Sequence, residues 1–292
     1  MKHVYFIVNP IAGAGKPKRL IESINKYIDK SLFTYEVVTS EFPGHAIALA
    51  KSAQDSADII VAAGGDGTIN EVLNGLNESK NILGILPTGS GNGLANFLKI
   101  PKTTAGAIKC INNLSYSRID TMLVNSVKCI NMAGVGFDAY VAKLFRESKN
   151  RGFLTYSRIV LSQFNKFRTQ YYKLTLDDKE YSFPAFLISC ANSTQFGNNA
   201  HIAPKAVATD GLLNITKLEK IPVWIAPVMI VRLFTKTIDS SRYFEGFTGK
   251  HIKISSNEKL YSHIDGEFVD FGNVLNITIQ PLSLKVICAG VK

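Results

Sequence analysis

Ile59-Ile60-Val61-Ala62-Ala63-Gly64-Gly65-Asp66-Gly67-Thr68-Ile69-Asn70-Glu71 is the stretch that decides the fold. It begins as an apolar run with the composition of a strand buried on both faces. It breaks at Gly64-Gly65-Asp66-Gly67, after which Ile69, Val72, Leu73 and Leu76 recur at helical spacing. A buried strand therefore ends in a tight turn and feeds a helix. Such a turn leaves main-chain N–H groups free at a helix N-terminus, where a phosphate can approach with no side chain in the way. An acid inside a phosphate cradle repels the anion unless a cation stands between them, so Asp66 points to a magnesium-linked nucleotide. The competing reading is a strand–helix connection whose glycines serve only the turn.

Working outward, strand-like and helical stretches alternate through the first third. His3–Val8, Phe33–Thr39, Asp58–Ala63 and Ile82–Leu86 read as strands, with helices over Pro17–Ile28 and His45–Ala53 and after the glycine turn. Alternation of this kind predicts a parallel sheet covered by helices on both faces, with ligands gathered at the carboxyl ends of its strands. The glycine-bearing loops after Val8, Ala63 and Leu86 all lie at such ends, which predicts one site built from three loops. The first, Asn9-Pro10-Ile11-Ala12-Gly13-Ala14-Gly15-Lys16, is not a Walker P-loop, because Pro10 and Pro17 stand where that pattern needs glycine and Ser or Thr. It is not a Rossmann fingerprint either, since Lys18 holds the third glycine position.

Near Ile119 the character changes. Strands are predicted over 117–124, 127–132, 172–176, 179–190, 211–217, 250–255, 260–264 and 274–279, interrupted by helical stretches over 139–165, broken near Gly152, and 222–235. The expected architecture is thus a three-layer α/β domain over residues 1–120, followed by a β-sandwich or barrel domain with inserted helices over 121–284. Residues 285–292 either close the second domain or return to the first.

Composition sets the outer bounds. The 292 residues are 46% hydrophobic and 19% charged, which describes an ordered globular chain. A net charge of +10, from 33 basic and 23 acidic side chains, suits anionic partners. Cys110, Cys129, Cys190 and Cys288 are widely spaced and the five histidines form no ligand-spaced cluster, so neither zinc nor a disulfide framework is indicated. No apolar stretch is long enough to span a bilayer. A reduced, cytoplasmic setting is expected, peripheral to a membrane at most.

Together with Gly64-Gly65-Asp66-Gly67-Thr68 and Pro87-Thr88-Gly89-Ser90-Gly91-Asn92, the first loop resembles the diacylglycerol kinase catalytic family, which includes sphingosine and ceramide kinases. The resemblance extends through Ala133-Gly134-Val135-Gly136-Phe137-Asp138, Thr209-Asp210-Gly211 and Asp265-Gly266-Glu267, and so covers nearly the whole chain. It implies a nucleotide domain, a β-sandwich domain, and an active site in the cleft between them. It places ATP against Asn9, Pro10, Gly13, Thr39, Gly64, Gly65, Asp66, Gly67, Thr68, Asn70, Thr88, Gly89, Ser90 and Asn92, with Asp66 organising Mg²⁺. It further implies Glu267 as the general base for a lipid hydroxyl and Asp265 as the residue that orients it or holds the metal network. From the residues alone, Asp265-Gly266 reads as a hairpin turn. The resemblance also assigns a structural Mg²⁺ to Asp210 with the main-chain carbonyls of Val207 and Leu212, an all-oxygen set suited to a hard cation.

The third loop departs from the bacterial pattern: Ser90 replaces Thr and Gly93 replaces an acid, a form similar to the sphingosine kinase branch. The acceptor is therefore either a diacylglycerol-like lipid or a long-chain base. NAD kinase, which shares the Gly-Gly-Asp-Gly turn, and a non-catalytic nucleotide-binding module at a membrane surface are the alternatives. Between Lys143 and Lys173 eight Lys or Arg face only Glu147, interleaved with aromatics. This segment either lies in an anionic membrane interface or buries its apolar face on the β domain. Residues 222–234 are apolar nearly all round, which predicts a packed helix or a lid over lipid tails. ATP, a lipid and a transient membrane surface are the expected partners; nucleic acid is not, and a homodimer is left open.

Overall fold

The structure, a computed structural model, describes residues 1–12, 17–149, 152–197 and 199–288. The chain forms two compact units, one of Met1–Asp120 with the C-terminal stretch that begins at Leu282, the other of Thr121–Pro281.

In the first unit, strands β1 (Lys2–Val8), β2 (Phe33–Thr39), β3 (Ile59–Gly64) and β4 (Ile82–Pro87) alternate with helices α1 (Pro17–Tyr27), α2 (His45–Ala53) and α3 (Asp66–Gly75), and α4 (Gly93–Phe97) and α5 (Thr104–Asn112) follow β4. The strand order is β2-β1-β3-β4, all parallel. Every residue of β3 and β4 is buried, which is why both read as continuous apolar runs without alternation. Helix α3 covers the sheet with Ile69, Val72 and Leu73, each fully removed from solvent and worth about 1.5–3 kcal/mol of transfer free energy. The strand order reverses direction between β1 and β3, and a doubly wound sheet receives its ligand at such a point, beyond the strands' carboxyl ends.

The second unit begins within β5 (Tyr116–Val124), which pairs with β6 (Val127–Cys129). Next come β7 (Met132–Gly136), α6 (Phe137–Glu147), α7 (Phe153–Gln163), β8 (Gln170–Leu176), β9 (Lys179–Ala185), β10 (Leu187–Ala191) and the short hairpin β11 (Gln195–Gly197) with β12 (Ala200–His201). The chain continues through β13 (Leu213–Leu218), α8 (Ala226–Thr235), β14 (Phe244–Gly249), β15 (His251–Ser255), β16 (Ser262–Ile264), β17 (Glu267–Val269) and β18 (Val274–Ile287). One antiparallel sheet has the order β14-β13-β10-β7-β16-β17; the facing layer runs β18-β15-β8-β9, with β5 and β6 beside β18. Val135, Ile188, Cys190 and Ile215 from one layer meet Tyr172, Leu174, Ile254 and Leu275 from the other in a common core. This is the expected sandwich.

Several expected elements divide. The 127–132 strand stops at Cys129 and resumes at Met132, and the 179–190 strand breaks at Phe186. Strand β14 was not predicted, because Gly246, Gly249 and Glu245 interrupt its alternation. Strand β18 is longer than predicted: Val274–Thr278 pair with β15, whereas Lys285 and Val286 pair in parallel with Ile82 and Leu83 of β4. In the basic segment, Ile159, Val160 and Phe164, each partly buried, pack against the cluster of Phe137, Val141, Phe167 and Phe186, so part of its apolar face is used inside the domain, while Leu154 and Leu161 stay exposed.

Candidate functional site

The first unit holds its three loops together with hydrogen bonds that the sequence does not reveal. Asn9 follows β1; its N–H reaches the Ala63 carbonyl (3.0 Å), and its side-chain amide donates to Thr68 Oγ1 (2.9 Å). Asn9 Oδ1 in turn accepts from Ile11 N (3.1 Å), which shapes the start of the loop beside Pro10. Thr88 N donates to the Gly64 carbonyl (2.9 Å), and the Gly93 and Leu94 N–H groups donate to the two oxygens of Asp66 (3.0 and 3.3 Å). Asp66 thus holds the third loop to the second. Gly93, where the bacterial pattern has an acid, supplies one of these donors.

Close backbone approach explains the glycines. A Cβ on Gly89 would stand 2.6 Å from Gly65 Cα and 2.9 Å from Asn92 Oδ1, so only glycine lets the second and third loops touch. Asn92 sits at φ 47°, the left-handed region, with its amide nitrogen on the Gly89 carbonyl (2.7 Å). Among the described residues, two buried side-chain oxygens beside this seam have no hydrogen-bond partner: Thr88 Oγ1 and Asn92 Oδ1. Groups of this kind cost about 1–3 kcal/mol each when left unpaired, and they mark where a polar ligand would be received.

Of the expected nucleotide residues, Asn9, Pro10, Gly64, Gly65, Asp66, Gly67, Thr68, Asn70, Thr88, Gly89, Ser90 and Asn92 lie on these loops and the first two turns of α3. Thr39 ends β2 opposite Val8, one residue from Asn9. Gly13 and Lys16 lie outside the described residues. Sequence reasoning missed Glu71, whose carboxylate accepts from Gly44 N (3.0 Å) and Ala46 N (3.2 Å) and so caps α2, and Asp120, fully buried, whose Oδ1 accepts from Leu282 N (2.7 Å).

In the second unit, Ile264 pairs with Glu267 across a two-residue turn in which Asp265 (φ 49°) and Gly266 (φ 85°) are both left-handed. That is the type I′ geometry the Asp-Gly pair favours. The turn's carboxylate is also an acceptor: Asp265 Oδ1 takes the Asn131 N–H (2.9 Å), the Met132 N–H (3.0 Å) and the Cys129 thiol (3.1 Å), and Oδ2 takes Ile130 N–H (3.2 Å). This accounts for the break between β6 and β7, since three consecutive N–H groups turn to the carboxylate instead of a ladder. Burial, then the neighbouring Asp265 charge, pushes the Cys129 thiol well up, which keeps it a proton donor. Glu267 is exposed at the start of β17. Beneath the turn, buried His263 accepts from Gly266 N on Nδ1 (3.4 Å) and bonds Asp138 through Nε2 (3.0 Å), a pair with no signal in the sequence beyond its residue types. Asp210 is exposed; its Oδ1 accepts from Leu212 N (3.0 Å), two residues on, and Val207 lies in the same loop. Among the described residues no cluster of three or more His, Cys, Asp or Glu could hold a metal, so cation sites here would rest on one carboxylate with main-chain oxygens, water or phosphate.

The profile of the diacylglycerol kinase catalytic domain matches residues 3–124, and that of the YegS C-terminal NAD kinase beta sandwich-like domain matches 131–288. A diacylglycerol kinase of Bacillus subtilis is 27% identical over 291 residues, covering 92% of this chain and 90% of that protein. A protein named diacylglycerol kinase in Staphylococcus saprophyticus is 25% identical, covering 94% of this chain and 93% of its own. The crystal structure of a diacylglycerol kinase from Bacillus anthracis superposes with a TM-score of 0.75 at 21% identity, over 98% of this chain and 97% of that one. At that identity the likeness establishes the fold.

Proposed function

Because the chain belongs to the diacylglycerol kinase catalytic-domain family, with a YegS-type C-terminal domain, we propose that it transfers a phosphoryl group from ATP to the hydroxyl of a diacylglycerol-like lipid. The observation that carries this reading is the three-loop seam: Asn9, Asp66 and Thr88 tie the loops together, and Thr88 Oγ1 and Asn92 Oδ1 are buried polar atoms beside it with no partner among the described residues. Such a seam suits a nucleotide, since the turn at Gly65 begins helix α3, whose N-terminus attracts phosphate, and the two orphaned oxygens could bond the nucleotide's polar edges.

The residues have separate tasks. The loop backbones and Asn9 would hold the phosphates, and Asp66, already fixed by two main-chain donors, would hold Mg²⁺ directly or through water. Magnesium neutralises charge on the transferring phosphoryl group. Glu267 would take the proton of the acceptor hydroxyl, and Asp265 fixes the turn that presents it. The Asp210 loop, with the Val207 and Leu212 carbonyls, is the proposed place of a structural Mg²⁺. The third loop's Gly89-Ser90-Gly91-Asn92-Gly93 favours a second reading, a long-chain-base acceptor such as sphingosine.

The test is phosphate transfer from labelled ATP to micelles of diacylglycerol, monoacylglycerol, sphingosine, ceramide or phosphatidylglycerol, with NAD as a soluble control. Transfer to diacylglycerol is the expected result. Transfer to sphingosine would replace the acceptor, and transfer to NAD alone would overturn the lipid assignment.

A further inference from the structure

The segment Pro222–Phe234 carries an apolar face that its own domain leaves uncovered. A 3₁₀ turn, Val223–Ile225, leads directly into α8. On the inner side Met229 is buried and Leu233 packs against Met132, Ala191, Ile202 and Ala206. That contact anchors the helix to the domain. The outer side is apolar too: Trp224 is 78% exposed, Val228 50%, Val231 59% and Phe234 48%. These positions follow one another at three- and four-residue intervals, so they form a single stripe. Of the two expectations for this segment, a packed helix or a lid over lipid tails, packing holds for the inner side, and the stripe lies outside it.

Charge identifies the occupant. No Asp or Glu occurs from Pro222 to Lys236, while Arg232 and Lys236 stand at the C-terminal end of the helix and Lys220 just before it. Lys220 donates to the main-chain carbonyls of Phe167 (2.6 Å) and Asn165 (3.3 Å), and Arg232 donates to that of Thr237 (3.3 Å). Their hydrogen bonds are made with neutral groups, and the two acids that flank the segment are matched by other cations, Glu219 by Lys217 (3.4 Å) and Asp239 by Lys205 (3.0 Å), so the rim is net positive among the described residues. The contact of Lys220 with Asn165 and Phe167 also brings in the residues just after α7, a segment with Arg158, Lys166 and Arg168 and no acid from Ser148 to Leu176. A second copy of the chain meeting this face across a twofold axis would set like charges against each other. An anionic bilayer complements both parts, apolar stripe and basic rim, and a tryptophan at the edge of the stripe suits the headgroup boundary.

We infer that the outer face of α8, with Trp224, Val228, Val231 and Phe234, is the surface by which this protein docks on anionic lipid membranes. The inference rests on the lipid-kinase reading for its purpose, but binding is measured without turnover, so the two can fail separately.

Trp224 is the sole tryptophan of the chain, so its fluorescence reports this face and no other. Added phosphatidylcholine–phosphatidylglycerol vesicles should shift its emission to the blue, brominated acyl chains should quench it, and the protein should co-sediment with the vesicles. Pure phosphatidylcholine should do so weakly. Val228→Glu combined with Val231→Glu, both at exposed positions, should weaken co-sedimentation by roughly tenfold or more. Phosphotransfer to acceptor dispersed in detergent should stay unchanged. Co-sedimentation with unmoved Trp224 emission would assign docking to another surface. Absence of binding would overturn the proposal, as would a blue shift that grows with protein concentration in lipid-free buffer, the mark of self-association. Glu267→Gln, if inactive yet still vesicle-bound, would separate docking from chemistry.

Discussion

Thr88 carries a hydroxyl oxygen that the fold buries without a partner among the described residues, and this makes it a sharper probe than any glycine of the loops. Replacing it by the near-isosteric Val removes an unpaired polar atom. Thr88→Val should therefore leave the unliganded protein as stable as before, or more stable by about 1–2 kcal/mol, while ATP affinity falls. Chemical denaturation and calorimetric titration read the two effects separately; loss of stability with full ATP affinity would sink the assignment. Glu267→Gln addresses the chemistry, with turnover expected to fall by about 10²–10⁴ while ATP affinity holds. The sequence made Asp66, Asp265 and Glu267 visible as acids in turns, but not what the first two touch. The N–H groups on Asp265 come from residues some 135 positions earlier, and no local pattern encodes a contact of that length.

At the scale of elements, periodicity was legible wherever one side of an element governs it. The all-buried strands β3 and β4 and the helix after the glycine turn follow directly from apolar runs and spacing. The breaks were not legible, because tertiary groups impose them. Helix α2 shows this well. It starts at Gly44, which has no side chain to cap it, and Glu71 of α3 supplies the acceptor for two of its N–H groups. Glu71→Ala should cost about 1–2 kcal/mol in urea denaturation, as the loss of a cap does; an unchanged midpoint would deny the cap any weight. Hairpin β11–β12 gives a pH-dependent case. Burial, then the nearby Lys236 cation, lowers the His201 pKa below its ordinary 6.5. The native state thus prefers neutral His201. Its share of stability is complete above pH about 6.5 and is lost as pH falls through the lowered native value. His201→Gln should flatten that portion of the pH–stability curve, measured as midpoints between pH about 7 and 5.

For the molecule as a whole, the order β2-β1-β3-β4 is what turns three separate loops into one site. Alternation of strands and helices predicted a parallel sheet, yet it did not give the order; the reversal between β1 and β3 is a property of pairing, seen only in the structure. The sandwich was legible as a succession of short strands, but neither in their number nor as two ordered sheets, since the pairings that order the sheets, β7 with β10 and β16 or β8 with β15, join strands far apart in the chain. If the seam of the first unit receives Mg²⁺-ATP, ligand must stabilise the folded chain by linkage, by about 2.7 kcal/mol at a ligand concentration one hundred times Kd. Thermal midpoints should rise with ATP and Mg²⁺ together and less with ATP and EDTA. Asp66→Asn supplies the decisive comparison. That change also perturbs the acceptor for the Gly93 and Leu94 N–H groups, so its unliganded midpoint will fall for reasons unrelated to metal. The informative quantity is the difference between the Mg²⁺ and EDTA shifts within each protein. It should be large in the parent chain and close to zero in the variant. An equal difference in both would mean that Asp66 serves only to pin the third loop, and that the cation is held by other groups.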